Sequence, residues 1–473
     1  MTQDAAELLD QNDLHSPEAL EDFALKDDYA LNPKFVKWVV DAADRGDGLR
    51  LRELLDALHP ADVADLMGFL SADYRAEIIP WIPPDDLAEV LSELDEGVRE
   101  EVLEQVAPGA LAEALQELDS DDAADIVEDL EEDQRREVLA AMPETDRAAI
   151  ETSLSYEEDS AGRLMQREVV AAPQFWTVGD AIDHMRTHDE DLPELFFDIY
   201  VVDPAFKPVG AVPVSALLRS KRHLKLSEIM EPVTEIEVDL DQEDAARIFE
   251  KYNLISAPVV DAGGRLVGQI TVDDIVSIIQ EENQEDILAL AGVSDAGRDR
   301  GILGVMRSRF PWLAVNLGTA MAASAVIAVF REEIETLVAL AVLMPIVASI
   351  GGNAGTQALA VAVRSLATRE VNASNVMRIV VRELAVGFAN GLAIAGLLGV
   401  AAYVWQRDIG LSLVIAAAVV INLCAAALAG TLVPLTLNKL ERDPAVASPV
   451  FVTWVTDTVG FFSFLGLAAL VLM

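Results

Sequence analysis

A single cysteine, Cys424, among 473 residues rules out a disulfide within the chain and leaves a thiol mechanism or a cysteine-ligated zinc without support. Histidine is almost as scarce. All five precede residue 224, and only His184 and His188 stand one helical turn apart, so no histidine metal centre is expected. Neither a phosphate-binding loop nor a nucleophile elbow occurs, which makes an enzyme the least supported class. Basic residues number 34 against 81 acidic ones, a net charge of −47 that argues against nucleic acid as a partner. The N-terminal stretch MTQDAAELLDQNDLHSPEAL lacks the basic region and apolar core of a cleaved signal peptide. Residues 1–300 are therefore expected in the cytoplasm.

Yet 52% of the residues are hydrophobic, which conflicts with so large a charge in one globular domain. Dividing the chain removes the conflict. From Gly301 onward there are 9 acids and 10 bases, which leaves 72 acids and 24 bases, net −48, in the first 300 residues. Such a balance repels itself unless counter-charges arrive, and inorganic cations are the expected suppliers. Most of the acids are solvated helix faces, so only a subset can be ligands.

Between about residues 50 and 155 a pattern recurs every 24 positions: ADVADLM at 61, DDLAEVL at 85 and GALAEAL at 109, interleaved with DYRAEII at 73 and GVREEVL at 97. Two short helices per unit, neither able to bury its apolar face alone, predict a small superhelix of either hand. A second repeat follows YEEDSAGRLM at 156: IYVVDPAFKPVGAVPVSALL at 199 aligns with APVVDAGGRLVGQITVDDIV at 257, with Asp203/Gly210 and Asp261/Gly268 equally spaced. Each copy predicts strand, turn, strand and helix after a leading helix. The pair resembles tandem CBS domains. Residues 271–290 then predict one long amphipathic helix.

Five apolar stretches close the chain, at Pro311–Phe330, Thr336–Ala362, Ile379–Trp405, Leu411–Leu437 and Val450–Met473, each of about 20 residues or more and so able to span a bilayer. Arg298, Arg300, Arg307 and Arg309 precede the first, Arg364, Arg369, Arg378 and Arg382 separate the second from the third, and Lys439 and Arg442 separate the fourth from the fifth. The other two gaps hold only Arg331 and Arg407. This asymmetry predicts a cytoplasmic N-terminal half and an external C-terminus.

Asp457 is the one acid deep inside an apolar segment. At membrane depth a carboxylate costs at least about 2.5–3.5 kcal/mol, so it is expected to face a water-filled path. Gly351-Gly352-Asn353-Ala354-Gly355-Thr356-Gln357, after Pro345, is the second constellation. Its glycines loosen the helix or pack it closely, and Asn353 and Gln357 share one face and offer amide oxygens to a hydrated cation. One acid per chain also favours a symmetric pair of chains around a shared path.

These parts, in this order, resemble the bacterial MgtE magnesium channels over nearly the whole chain. YEEDSAG at 156, GGNAGTQ at 351, RSLATRE at 364, DPAVAS at 443 and TDTVG at 456 carry the resemblance. It implies a multidomain membrane protein: an N-terminal acidic extension (1–50), an α-helical superhelix N domain (51–160), α+β tandem CBS domains (161–224 and 225–275), a connecting plug helix (276–300) and a five-helix transmembrane domain (301–473). It also implies a homodimer in the bacterial plasma (inner) membrane. In that picture Asp457, Asn353, Gln357, Gly351, Gly352 and Gly355 belong to the ion path. Regulatory Mg²⁺ binds Asp121, Asp125, Asp241, Glu243, Asp274, Glu282, Glu285 and Asp286, and holds the pore shut when cytosolic Mg²⁺ is plentiful. Asn253, Ser277, Gln280 and Pro449 depart from the family pattern. Thr271 and Asp274 resemble a ribose-holding Ser/Thr-x-x-Asp, so ATP at the CBS pair is a further expectation. The alternatives are wider divalent transport (Co²⁺, Mn²⁺, Ni²⁺), Na⁺- or H⁺-coupled transport, and a membrane-anchored CBS sensor of metal or nucleotide. The missing repeat among the membrane helices favours a channel over a coupled transporter.

Overall fold

The structure, a computed structural model, describes residues 20, 23–26, 28–84, 86–188, 192–193, 195–291, 293, 302–372, 374–440, 442 and 444–472. Two compact units divide it, Met1–Glu281 and Glu282–Met473, with the boundary inside one helix.

Short helices open the first unit: α1 Pro33–Asp44, α2 Gly48–Leu55, α3 Pro60–Phe69, α4 Ala72–Ile78, α5 Leu87–Ser92, α6 Glu96–Leu103, α7 Pro108–Ala114, α8 Ser120–Asp129, α9 Glu132–Ala141 and α10 Glu144–Ser153. Proline at the first helical position starts α1, α3 and α7, where its missing N–H is not needed. The 24-residue period acts as a packing register. Leu66, Val90 and Ala114 occupy one site in successive layers, Met67, Leu91 and Leu115 another, and all six are buried. Each fully buried leucine contributes about 1.5–3 kcal/mol, available only when layers stack. The same core takes in Leu20, Phe23, Phe35 and Trp38, and Phe23 stacks on Trp38. The described part of the stretch assigned above to an acidic extension, Leu20, 23–26 and 28–50, therefore belongs to the N domain; residues 1–19, 21–22 and 27 lie outside the described residues.

Two three-stranded sheets follow. β1 Ala171–Pro173, β2 Asp198–Val202 and β3 Pro208–Pro213 form the first, and β4 Ile236–Glu237, β5 Ser256–Val260 and β6 Leu266–Thr271 the second. In each, the first pair is parallel and the second antiparallel, with a bulge at equivalent places, Val201/Val202 and Val259/Val260. The helices here are α11 Ala161–Leu164, α12 Val178–Thr187, α13 Val214–Arg219, α14 Leu226–Ile229, α15 Gln242–Tyr252 and α16 Val272–Leu290. The leading segments are exchanged between copies. The Gly162 N–H donates to Val238 O at 2.8 Å and Gln166 bridges Gln269, so residues 161–166 complete the second sheet; Leu226 donates to Trp176 O at 2.8 Å and Glu231 bridges Ala211, completing the first. The expected boundaries 161–224 and 225–275 follow the chain and not the packing, and the cut after 275 falls inside α16.

The repeated glycines serve this exchange. A Cβ on Gly268 would lie 2.7 Å from Gln166 O and one on Gly210 2.8 Å from Glu231 O. Gly268→Ala is expected to lower stability by about 1–3 kcal/mol through overpacking. Thermal unfolding of the full chain in detergent checks this, and an unchanged midpoint would refute the crossing role.

The second unit carries α17 Ile302–Val329, the short α18 Arg331–Thr336, α19 Ala339–Ala367, α20 Val376–Gln406, α21 Ile409–Lys439 and α22 Pro444–Leu472. Among the described residues five helices are long and apolar enough to cross a membrane. Central α21 packs on α19, α20 and α22, while α17 packs on α22. Prolines 311, 345, 434 and 449 lie inside these helices, tolerated where neighbouring helices satisfy the freed backbone groups.

Candidate functional site

In the first unit, the run Asp119-Ser120-Asp121-Asp122 turns the chain into α8, where acids complement the positive helix end. Asp121 is nonetheless 8% exposed. Burial, and then the like charges of Asp274, Asp122 and Asp119, push its carboxyl well above the ordinary range. Asp122 is pushed up to about 7, chiefly by burial and then by Asp274. Asp274, on the first turn of α16, is pushed up to about 6 by burial, against a 2.6 Å hydrogen bond donated by Thr271 Oγ1. Three carboxylates from two domains thus converge where burial and mutual repulsion raise the free energy of the ionised state. Such a place favours a cation or protons. Among the described residues no three His, Cys, Asp or Glu groups are disposed to hold one metal ion, but a hydrated divalent cation needs only one or two carboxylates.

Asp125 is placed differently. Its carboxylate, 56% exposed, lies 3.7 Å from the guanidinium of Arg163, which is 4% exposed and also pairs with Glu128. Asp241 caps α15 by accepting from the Glu243 N–H at 2.9 Å, and Glu243 lies 3.4 Å from Arg247. Glu282, Glu285 and Asp286 lie on the part of α16 that belongs to the second unit, where Ala289 joins a core with Leu359 and Val452. Thr271, 8% exposed, already engages Asp274.

Sequence reasoning passed over a set of polar contacts that dock α8 on the CBS pair. Ser120 donates through Oγ to Glu168 Oε2 at 2.9 Å and Gln166 Nε2 donates to Asp119 Oδ2 at 3.0 Å, while Gln269 Nε2, within the CBS pair, holds Glu168 by donating to its backbone O at 2.9 Å. The visible signals were the base inside YEEDSAGRLM and the doubled acid in DDAAD. Their partners lie too far along the chain to be inferred from spacing.

In the second unit, Asp457 is half-buried on α22 and Asn353 and Gln357 are exposed one turn apart on α19. Gly351 and Gly355 are buried on the same helix. A Cβ on Gly355 would lie 2.6 Å from Val452 Cγ1 and 3.3 Å from Thr456 Cγ2. Close approach at this glycine sets the Asn353–Gln357 turn beside the turn that carries Asp457. Gly352 has open space around it.

These features define a multi-pass membrane protein with a helical-repeat N domain and a CBS pair. Residues 344–467 match the MgtE family, described as divalent cation transporters, residues 58–159 its intracellular N domain, and residues 226–281 a CBS domain. The magnesium transporter MgtE of Bacillus subtilis is 31% identical over 323 residues, covering 68% of this chain and 71% of that protein. That of Thermus thermophilus is 33% identical over 330 residues, covering 69% and 73%. A crystal structure of the cytosolic domain of the Mg²⁺ channel MgtE in complex with ATP shares 34% identity and a TM-score of 0.49, covering 51% of this chain and 99% of that one. The chain belongs to the MgtE family.

Proposed function

We infer that this protein is a Mg²⁺ channel mediating Mg²⁺ uptake across the bacterial inner membrane. The observation that carries it is the contact at Gly355, which sets the one acid deep within an apolar span beside the Asn353–Gln357 turn in a family of divalent cation transporters. Asp457 is read as the carboxylate that attracts a hydrated ion, with Asn353 and Gln357 as neutral oxygen donors. Gly351, Gly352 and Gly355 admit the backbone to the path. Two chains in a homodimer would pair their Asp457 residues around one axis, with the N domain inside and the C-terminus outside.

Gating is assigned to cytosolic Mg²⁺. Bound at Asp121, Asp122 and Asp274 it offsets their repulsion and keeps the N domain on the CBS pair; when it is scarce, ionised carboxylates push the two apart. Asp125, Asp241, Glu243, Glu282, Glu285 and Asp286 are read as further ligands. ATP at Thr271 and Asp274 is a secondary proposal. Since Asp274 stands in both sets, Mg²⁺ and ATP affinities would then be linked reciprocally.

The test is flux through the purified chain in liposomes holding a Mg²⁺-sensitive dye. Inward Mg²⁺ movement that needs no Na⁺ or H⁺ gradient and stops when Mg²⁺ is raised on the N-domain side is the expected result. Dependence on either gradient would move the assignment to a coupled transporter. Silence under all conditions would favour a sensor, and equal movement of Co²⁺, Mn²⁺ and Ni²⁺ a general divalent path.

A further inference from the structure

Asn422, in the middle of α21, is fully buried. Its Nδ2 donates to Val347 O of α19 at 3.0 Å, while its Oδ1 has no hydrogen-bond partner among the described residues. The amide stands between two buried glycines on the helices assigned to the ion path. A Cβ on Gly460 of α22 would lie 2.7 Å from Nδ2, and one on Gly351 of α19 would collide with the same amide.

Stability does not account for an asparagine here. An unpaired buried carbonyl costs about 1–3 kcal/mol, and the cost is not relieved by water in a bilayer. Leucine, with the same number of side-chain heavy atoms and the same branching, carries no carbonyl to leave unpaired. A polar group kept at such a cost in a membrane interior marks function by default. Gly351 lies two residues before Asn353, and Gly460 lies three after Asp457 and so on a neighbouring face of the same turn. The amide therefore touches both helices within one turn of the residues read as ion-handling.

We propose that Asn422 is a positioning residue of the ion path: hydrogen-bonded to Val347 and wedged between Gly351 and Gly460, it sets the register of α22 against α19 and hence where Asp457 stands. This rests on Asp457 lining the path. Glycine at 351 and 460 leaves the space, and the amide makes the spacing specific, because its hydrogen bond holds α19 while its bulk bears on α22.

The test compares Asn422→Leu, Gly460→Ala, the double variant Asn422→Ala/Gly460→Ala and Asp457→Ala as full chains in liposomes. For each, the melting temperature, the maximum Mg²⁺ flux and the ratio of Mg²⁺ to Co²⁺ flux are measured. Asn422→Leu is expected to melt at or above the unsubstituted temperature while losing flux about tenfold and shifting the ion ratio, which packing alone would not move. Gly460→Ala should lose folded protein, and the double variant should recover it without recovering the ratio. Unchanged flux and ratio in Asn422→Leu overturn the proposal. If that variant does not fold, the double variant decides: full recovery of flux and ratio also overturns it. Transport that survives in Asp457→Ala removes the path reading and this proposal with it; loss there beside normal flux in Asn422→Leu removes only this proposal.

Discussion

Asp457→Ala is expected to abolish Mg²⁺ uptake while leaving the amount of folded protein in the membrane unchanged or raised. The two halves of that result have opposite physical origins. An aspartate within an apolar span costs about 2.5–3.5 kcal/mol or more to insert, so alanine makes α22 easier to place in the bilayer and no loss of fold is due. Transport loses the one carboxylate deep within the spans of each chain, Glu383 lying near the start of α20 beside Arg382, and a hydrated divalent ion entering a low-dielectric region then meets only neutral oxygens there. Asp457→Asn should fall between, since it keeps an oxygen at the site but not the charge. Growth of an uptake-deficient strain on limiting Mg²⁺, with dye flux in liposomes, measures the effect. Near-normal uptake by the alanine variant would sink the assignment of Asp457 to the path.

A second large effect concerns pH in the absence of metal. Burial raises the carboxyls of Asp121, Asp122 and Asp274 above their ordinary value, to about 7 for Asp122 and about 6 for Asp274. A group raised on folding binds its proton more tightly in the native state, so its share of stability is full below the ordinary carboxylate range and lost as pH climbs through the raised value. In chelator the soluble half should therefore weaken as pH climbs from about 4 to about 7 and change little above that. Each kcal/mol lowers the melting midpoint by about 2–4 °C in a domain of this size, and three displaced groups make a fall on the order of 10 °C the expectation. Mg²⁺ should restore the midpoint at pH 8 and do little at pH 5, where protons already occupy the site. Asp121→Asn should raise the pH 8 midpoint in chelator and shrink the gain from Mg²⁺. Scanning calorimetry in EDTA against Mg²⁺ decides it, and a midpoint that stays flat with pH in EDTA contradicts the proposed repulsion.

How much of this was legible beforehand depends on the distance over which each feature is encoded. Helix and strand periodicity are local, so the 24-residue layers of the N domain and the aligned strands at 199 and 257 could be read from residue order. The bilayer acts on every residue of a span, so the five spans could be read from length and hydropathy alone. Asp457 stood out because one acid in an apolar run is itself an anomaly. By the same logic Asn422, the one amide in the middle of the run from Ile409 to Lys439, is an anomaly of the same kind.

The residue order by itself determined the class of each part: stacked helices, paired ββα units, five membrane spans and an acid at depth. Each of these follows from a pattern shorter than the element that carries it. Tertiary structure alone decided the exchange of residues 161–166 and 226–231 between sheets, the burial of Asp121 against Asp274, the pairing of Asp125 with Arg163, and the place of the Asn422 amide between Gly351 and Gly460. Those contacts join residues 20 to 153 positions apart, and no local periodicity records which distant surface a side chain will meet. The net charge of −48 in the first 300 residues pointed to cations as counter-charges, and only folding buried Asp121 and Asp122 against Asp274.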